Sequence, residues 1–258
     1  MTGEAMNYTM SAATNVGSAR PTNQDGVIVQ YAVKESHTFL LAAVCDGMGG
    51  LEDGEVASAT VTLALKQWFD RKCAEESVRD IHSLMNDLAD TLGTLNEHLK
   101  EYEVQRRTLI GTTLSCLLAL DDACGIFHIG DSRIYRIDTA LCQLTTDHTV
   151  VARAVAEGTM TMEEAAVSAD RSKLTQCFGA SKRYEPEIFF DSVKPNTTFL
   201  ICSDGFRNRL TEQELQMRFS PSALQGEQRM QFLCDQAIQD VMRRGEKDNI
   251  SVVLVKAD

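Results

Sequence analysis

Five aspartates carry the chemistry that this sequence suggests. Asp46 follows the apolar run "FLLAAVC" and precedes Gly47, Gly49 and Gly50; Asp204 follows "TFLICS" and again has a glycine next. Asp131 follows "IFHIG", whereas Asp25 and Asp248 precede "GVIVQYAV" and "NISVVLV". Carboxylates gathered in one place repel one another and raise their own pKa values unless a cation compensates. No lysine or histidine stands consistently beside these five. An oxygen-only cluster suits a hard divalent ion, Mg2+ or Mn2+, better than zinc, which prefers nitrogen and sulfur. Two such ions about 3.5–4 Å apart, bridged by a shared carboxylate, lower the pKa of a bound water and clamp a phosphoryl group. Glycine after Asp46 leaves a backbone carbonyl open to an ion. Asp-Gly is also a common turn dipeptide. That explains one instance, not five acids at strand ends.

Strand-like runs must place those acids. They cover 26–33, 38–45, 111–120, 123–130, 133–137, 187–193, 198–203 and 249–257, with a hairpin turn at "DDACG". In neighbouring antiparallel strands one strand's end lies beside the next one's start, so the acids can meet on one rim of a sheet. Helices punctuate the strands. Ala57, Val61, Ala64, Leu65 and Trp68 share one face. A second long helix or helix pair spans about Val78 to Gln105. Thr211 opens a third helix, and Met230, Leu233, Cys234, Ala237, Ile238 and Val241 line a fourth, stopped at Gly245. Hairpin-joined strands with grouped helices predict an α+β fold rather than a parallel wound sheet. Residues 150–180 do not fit the scheme and read as an excursion over the surface, of a length that is often functional.

Composition narrows the partners. With 37 acidic and 25 basic side chains the net charge is −12, which argues against nucleic acid or anionic membrane as a general partner. The N-terminal stretch has neither a basic start nor an apolar core, and no apolar run approaches the length of a membrane span. The expectation is a soluble, cytoplasmic protein. Eight cysteines without a C-x-x-C pair read as buried free thiols in a reducing compartment. Four prolines and no low-complexity linker predict one domain over the whole chain.

In order and approximate spacing, "RPTNQD", "DGMGG", "GTT", "GDSR", "LTTDHT", "LTQCFGA", "SDGF" and "KDNISVVLV" resemble the metal-dependent PP2C-type protein serine/threonine phosphatases (the PPM family), and its bacterial branch in particular. The resemblance runs from about Asn15 to Val255. It implies a four-layer α-β-β-α sandwich with two central antiparallel sheets. It also implies hydrolysis of phosphoserine and phosphothreonine on proteins by a water bridged between two Mn2+ or Mg2+ ions, with no phosphoenzyme. By position, Asp46 resembles the bridging carboxylate, with the Gly47 carbonyl on the first ion. Asp204 and Asp248 resemble ligands of the second. Asp131, with Asp204, is similar to the acids that hold a weaker third ion. Asp25 resembles the group that acts on metal-bound water or serves as an outer ligand, and Arg20 resembles the arginine that grips the substrate phosphate. Residues 150–180 resemble the flap that borders the active site. The implied partners are phosphorylated proteins, a serine/threonine kinase among them, and the implied state is a monomer.

Two positions depart from the eukaryotic pattern. Gln24 replaces an acid, which weakens a water-mediated hold on the first ion. Met48 replaces the histidine proposed as general acid, and a thioether has no proton to give. A different class of function, a catalytically silent relative that binds phosphoproteins, is opposed by the intact Asp46, Gly47, Asp204 and Asp248. Several other residues are expected to be structural. Arg133 orders its turn by pairing with an acid, and His128 is a satisfied strand histidine. His148 belongs to a helix start capped by Thr146 or Asp147. Thr112 and Thr113 pack and hydrogen-bond, Cys177 is at most an oxidation site, and the acids of 51–55 favour a helix N-terminus.

Overall fold

A strand that is apolar on both faces needs a cover on each, and this chain supplies the covers by stacking two antiparallel sheets between helices. The computed structural model describes residues 6–34, 37–49, 53–75 and 80–258. Three strands come first, β1 (Tyr8–Asn15), β2 (Asp25–Lys34) and β3 (His37–Gly49), then two long helices, α1 (Asp53–Ala74) and α2 (Ile81–Arg106). Strands β4 (Ile110–Thr112), β5 (Leu114–Leu120), β6 (Ala123–Ile129), β7 (Arg133–Ile137) and β8 (Leu141–Gln143) follow. Two short helices, α3 (Val150–Ala156) and α4 (Met162–Val167), lead to β9 (Glu187–Ser192) and β10 (Thr197–Cys202). Helices α5 (Asp204–Arg207), α6 (Glu212–Phe219) and α7 (Glu227–Arg243) precede the last strand, β11 (Ile250–Ala257).

One sheet has the order β1-β11-β10-β7-β8, the other β2-β3-β5-β6-β9 with β4 paired to β3. Side-chain alternation along β3 shows how the layers are made. Leu40, Ala42 and Val44 point into the space between the sheets, against Phe199, Ile201, Val253 and Val255. Leu41, Ala43 and Cys45 point outward, against Val61 and Trp68 of α1 and Leu88 and Leu92 of α2. On the far side, Leu200 and Cys202 of β10 meet Met230, Cys234 and Val241 of α7. The α+β four-layer sandwich expected from the sequence is the fold that forms. No helix among the described residues is long and apolar enough to cross a membrane.

The structure corrects several local expectations. Strand β3 does not end at Asp46: Gly47, Met48 and Gly49 stay extended and pair with Thr112, Gly111 and Ile110 of β4. The run 111–120 is broken at Thr113, because β4 leaves the line of β5 to follow this extension. Strand β1 carried no strand signal, since polar residues interrupt its apolar ones, and the polar ones are satisfied by neighbours. Ser11 donates to Gln231 Oε1, and Thr14 shares a hydrogen bond with Ser251. Helix α2 is capped by Asp80, which accepts from the His82 and Ser83 amides; Val78 lies outside the described residues, as do Gly50, Leu51 and Glu52. Thr211 caps α6 in a reciprocal box with Glu214, as its spacing predicted.

Candidate active site

Asp25 and Asp46 are direct partners across β2 and β3, so their side chains share a face of the sheet. Asp204 is the first residue of α5, immediately after β10, and Asp248 stands just before β11. Asp131 occupies the turn between β6 and β7. These strand ends belong to both sheets and meet on one rim. Asp46, Asp131, Asp204 and Asp248 line a single pocket of about 210 Å³, together with Gly47, Met48 and Arg20.

The pocket is electrostatically unfavourable as it stands. Burial pushes the Asp46 carboxyl well above the usual carboxylate range, and Asp25, Asp204, Asp131 and Asp248 push it further. Burial likewise lifts Asp25 and Asp131, each to about 7. Asp204 is raised by burial, with Arg207 opposing the rise. Both carboxylate oxygens of Asp25 are buried with no well-formed hydrogen bond among the described residues, and the Ser251 and Ser203 hydroxyls stand near enough to ease its charge in part. A buried, unpartnered carboxylate costs several kcal/mol by order of magnitude unless a cation meets it.

The backbone around Asp46 is fixed from several sides. Its amide donates to Thr113 Oγ1 at 2.9 Å, and its carbonyl accepts from the Thr113 amide at 2.9 Å and Thr112 Oγ1 at 3.0 Å. The Gly47 amide donates to the Gln24 carbonyl at 3.1 Å. Asn249 fastens the Arg20 loop to the start of β11: its Nδ2 donates to the Val16 and Thr22 carbonyls, and its Oδ1 accepts from the Gln24 amide. Arg207 donates to the Asp131 carbonyl at 3.1 Å, and Asn208 Nδ2 to Asp204 Oδ2 at 3.3 Å.

Whether these residues suit divalent ions can be judged from the site itself. Among the described residues no three carboxylate, imidazole or thiol groups are drawn together closely enough to form a finished ligand shell. Asp248 is turned onto Arg20, which holds both of its oxygens at 2.7 Å. The donor chemistry nevertheless fits: all the donors are oxygens, the Asp25 pair is orphaned, and Gly47 leaves no Cβ over its own carbonyl. A Mg2+- or Mn2+-class cation suits this pocket, and a nitrogen- and sulfur-seeking metal does not.

Every sequence-predicted site residue lies in or against this rim: Arg20, Asp46, Gly47, Asp131, Asp204 and Asp248 line the pocket, and Asp25 lies behind Asp46. Arg133 pairs with Asp147 through two bonds of 2.7 Å rather than with any of the five acids. The cap expected at Thr146 or Asp147 is instead Thr149, whose side chain accepts from the Ala152 amide. Asp147 is committed to Arg133, and the Thr146 hydroxyl donates to Glu187 Oε1. His128 Nε2 donates to the Thr146 carbonyl, and burial pushes its pKa down to about 3, so it stays neutral. His148 grips Gly130, the residue before Asp131, by accepting its amide on Nδ1 and donating its own amide to the Gly130 carbonyl. Asn249 and Arg207 had not been singled out. "KDN" and "GFRNR" contain them, but a polar clamp leaves no periodic trace in a sequence.

A second, larger cleft of about 770 Å³ opens from the same rim and shares Asp131, Asp204 and Ser172 with the pocket. Val151, Val155 and Ala165 of α3 and α4 form one wall, and Arg133 and Arg207 stand in the other.

Comparison with known proteins gives a consistent result. Residues 19–244 match the family model for protein phosphatase 2C. A Streptococcus pyogenes relative of the protein phosphatase 2C type is 31% identical over 95% of this chain and 96% of its own length. The serine/threonine phosphatase stp of Listeria monocytogenes is 28% identical over 95% of this chain and 94% of its own. Among solved structures, the catalytic domain of the serine/threonine protein phosphatase PstP, in complex with two manganese ions, superposes with a TM-score of 0.79 at 26% identity, covering 98% of this chain and 99% of that one.

Proposed function

The chain belongs to the protein phosphatase 2C family, and from that membership we propose that it removes phosphate from phosphoserine and phosphothreonine on proteins with the help of two Mn2+ or Mg2+ ions. One observation carries the reading: a buried Asp25–Asp46 pair, with no salt bridge to a cation among the described residues, within five acids on a single rim. When bound, the cations supply a water of lowered pKa and offset the charge of the phosphoryl oxygens. Asp46 and the Gly47 carbonyl would hold one ion, and Asp204 and Asp248 the other, with Asp131 beside Asp204 for a weaker third. Asp25, behind Asp46, would accept a hydrogen bond from the attacking water and take its proton on a carboxylate oxygen. The Arg20 guanidinium presents two parallel N–H groups to the phosphate, a match that lysine cannot reproduce.

The stretch 150–180 acts as a flap, and the cleft beneath it takes the polypeptide flanking the phosphorylated residue. The chain works as one domain and a monomer, in the cytoplasm, on phosphoproteins that include a serine/threonine kinase. The test is phosphate release from a phosphothreonine peptide with Mn2+, lost in chelator. Absence of turnover at saturating Mn2+ overturns the proposal. The same assay over aryl phosphates reads the consequence of Met48. With no proton donor at that position, the rate falls steeply as leaving-group pKa rises; a flat series contradicts it.

A further inference from the structure

Arg20 stands on the wrong partner for a residue that only grips phosphate. Its Nε donates to Asp248 Oδ1 and its Nη2 to Asp248 Oδ2, both at 2.7 Å, and the Asn249 amide also donates to Oδ1. The fork therefore occupies both oxygens of an acid assigned to an ion. The two backbones are locked together without the help of this pair. Asn249 ties the loop at Val16, Thr22 and Gln24, and Gly17 passes so close to Asp248 that a Cβ there would sit 2.0 Å from the Asp248 carbonyl oxygen. Only side chains need to move to part them. Both are partly open to solvent, Arg20 at 51% and Asp248 at 36%, so the parting needs little rearrangement of the fold.

We propose that Arg20 is a placeholder cation, held on Asp248 while the ion site is empty and handed to the substrate phosphate when a divalent ion displaces it. The inference rests on the reading of Asp248 as a ligand and Arg20 as the phosphate grip. A guanidinium fork on both oxygens and a divalent ion compete for the charge of one carboxylate and repel each other across it, so each weakens the other's hold on Asp248. Ion binding frees the fork for phosphate, and by linkage phosphate, by keeping the fork away from Asp248, strengthens ion binding. Substrate capture is thus confined to the ion-loaded enzyme.

The two roles predict opposite signs for metal affinity. Calorimetric titration of Mn2+ into metal-free protein, with no substrate present, reads it directly. Asp248→Asn identifies the site that depends on Asp248. At that site Arg20→Gln is expected to bind Mn2+ about three- to fivefold more tightly, the worth of a partly exposed ion pair. Arg20→Lys keeps the charge, loses the fork and tightens binding by less. Lys247→Gln, a neighbouring cation that is not on the carboxylate, shifts it least. Unchanged or weaker binding in Arg20→Gln overturns the inference, because Arg20 then stays on Asp248 and orients it. Equal tightening in Lys247→Gln also overturns it, since diffuse charge would explain the effect. Both results leave the phosphatase reading standing. A wild type that takes up no Mn2+ removes the two together.

Discussion

Asp46→Asn is expected to lower Mn2+-dependent turnover by about a thousandfold, the upper end of what a single electrostatic group supplies, and at the same time to raise the melting temperature of the metal-free protein. The two effects share one cause. Asp46 is the acid on which the other four converge, and burial with their charges holds its carboxyl well above the usual range. In the absence of cations that charge opposes folding, and the isosteric amide removes it. With cations, the same charge is what they are bound by, and an amide oxygen is a weak substitute. Melting curves in chelator and in saturating Mn2+ separate the effects. Wild type gains stability from the ion by mass action, and the variant, which starts higher, gains far less. A variant that melts lower than wild type in chelator contradicts the repulsion argument even if activity is lost.

The second large effect is steric. In Gly47→Ala the new Cβ would lie 2.3 Å from the Gly54 carbonyl oxygen and 2.4 Å from that of Gln24. Neither atom belongs to a flexible side chain. Gly47 itself is held by its bond to the Gln24 carbonyl and by its pairing with Thr112. Strand β3, strand β4 or the start of α1 must therefore shift, at a cost of about 3 kcal/mol, the upper range for overpacking. Gly93→Ala provides the contrast. Gly93 lies inside α2 with nothing within 4 Å of an added Cβ, so alanine there stabilises by up to about 1 kcal/mol. Urea unfolding in chelator measures both without interference from the ions. A loss in Gly47→Ala no greater than about 0.5 kcal/mol, within the range of an ordinary surface change, contradicts the tight approach.

Residues differed in how well the sequence exposed them. The continuous apolar runs of β3, β5 and β11 had to be buried on both faces, so an α+β fold was legible from the pattern, whereas the four-layer stacking came from the family resemblance. The five acids stood out because each lies at the end of a strand-like run, with no base consistently beside them. Gly47 was legible only in part. The sequence suggests an open carbonyl, whereas the structure adds a reason of its own, the close pass against Gly54 and Gln24. Thr113, Asn249 and Arg207 act through hydrogen bonds to backbone atoms far away in the chain, and such bonds have no spacing to detect. The Arg20–Asp248 pair, 228 residues apart, was likewise invisible until β11 and β1 were seen side by side. Thr146, Asp147 and Thr149 all carry side chains able to cap α3. The choice among the three was made by tertiary partners, Glu187 and Arg133.

The central claim is that acids remote in sequence make one pocket that doubly charged cations render stable. Anomalous diffraction from crystals soaked in Mn2+ tests it most directly. Two peaks are expected, one against Asp46 and the Gly47 carbonyl, the other against Asp46, Asp204 and Asp248. An empty pocket in fully soaked crystals, or manganese bound only elsewhere on the surface, would contradict the account.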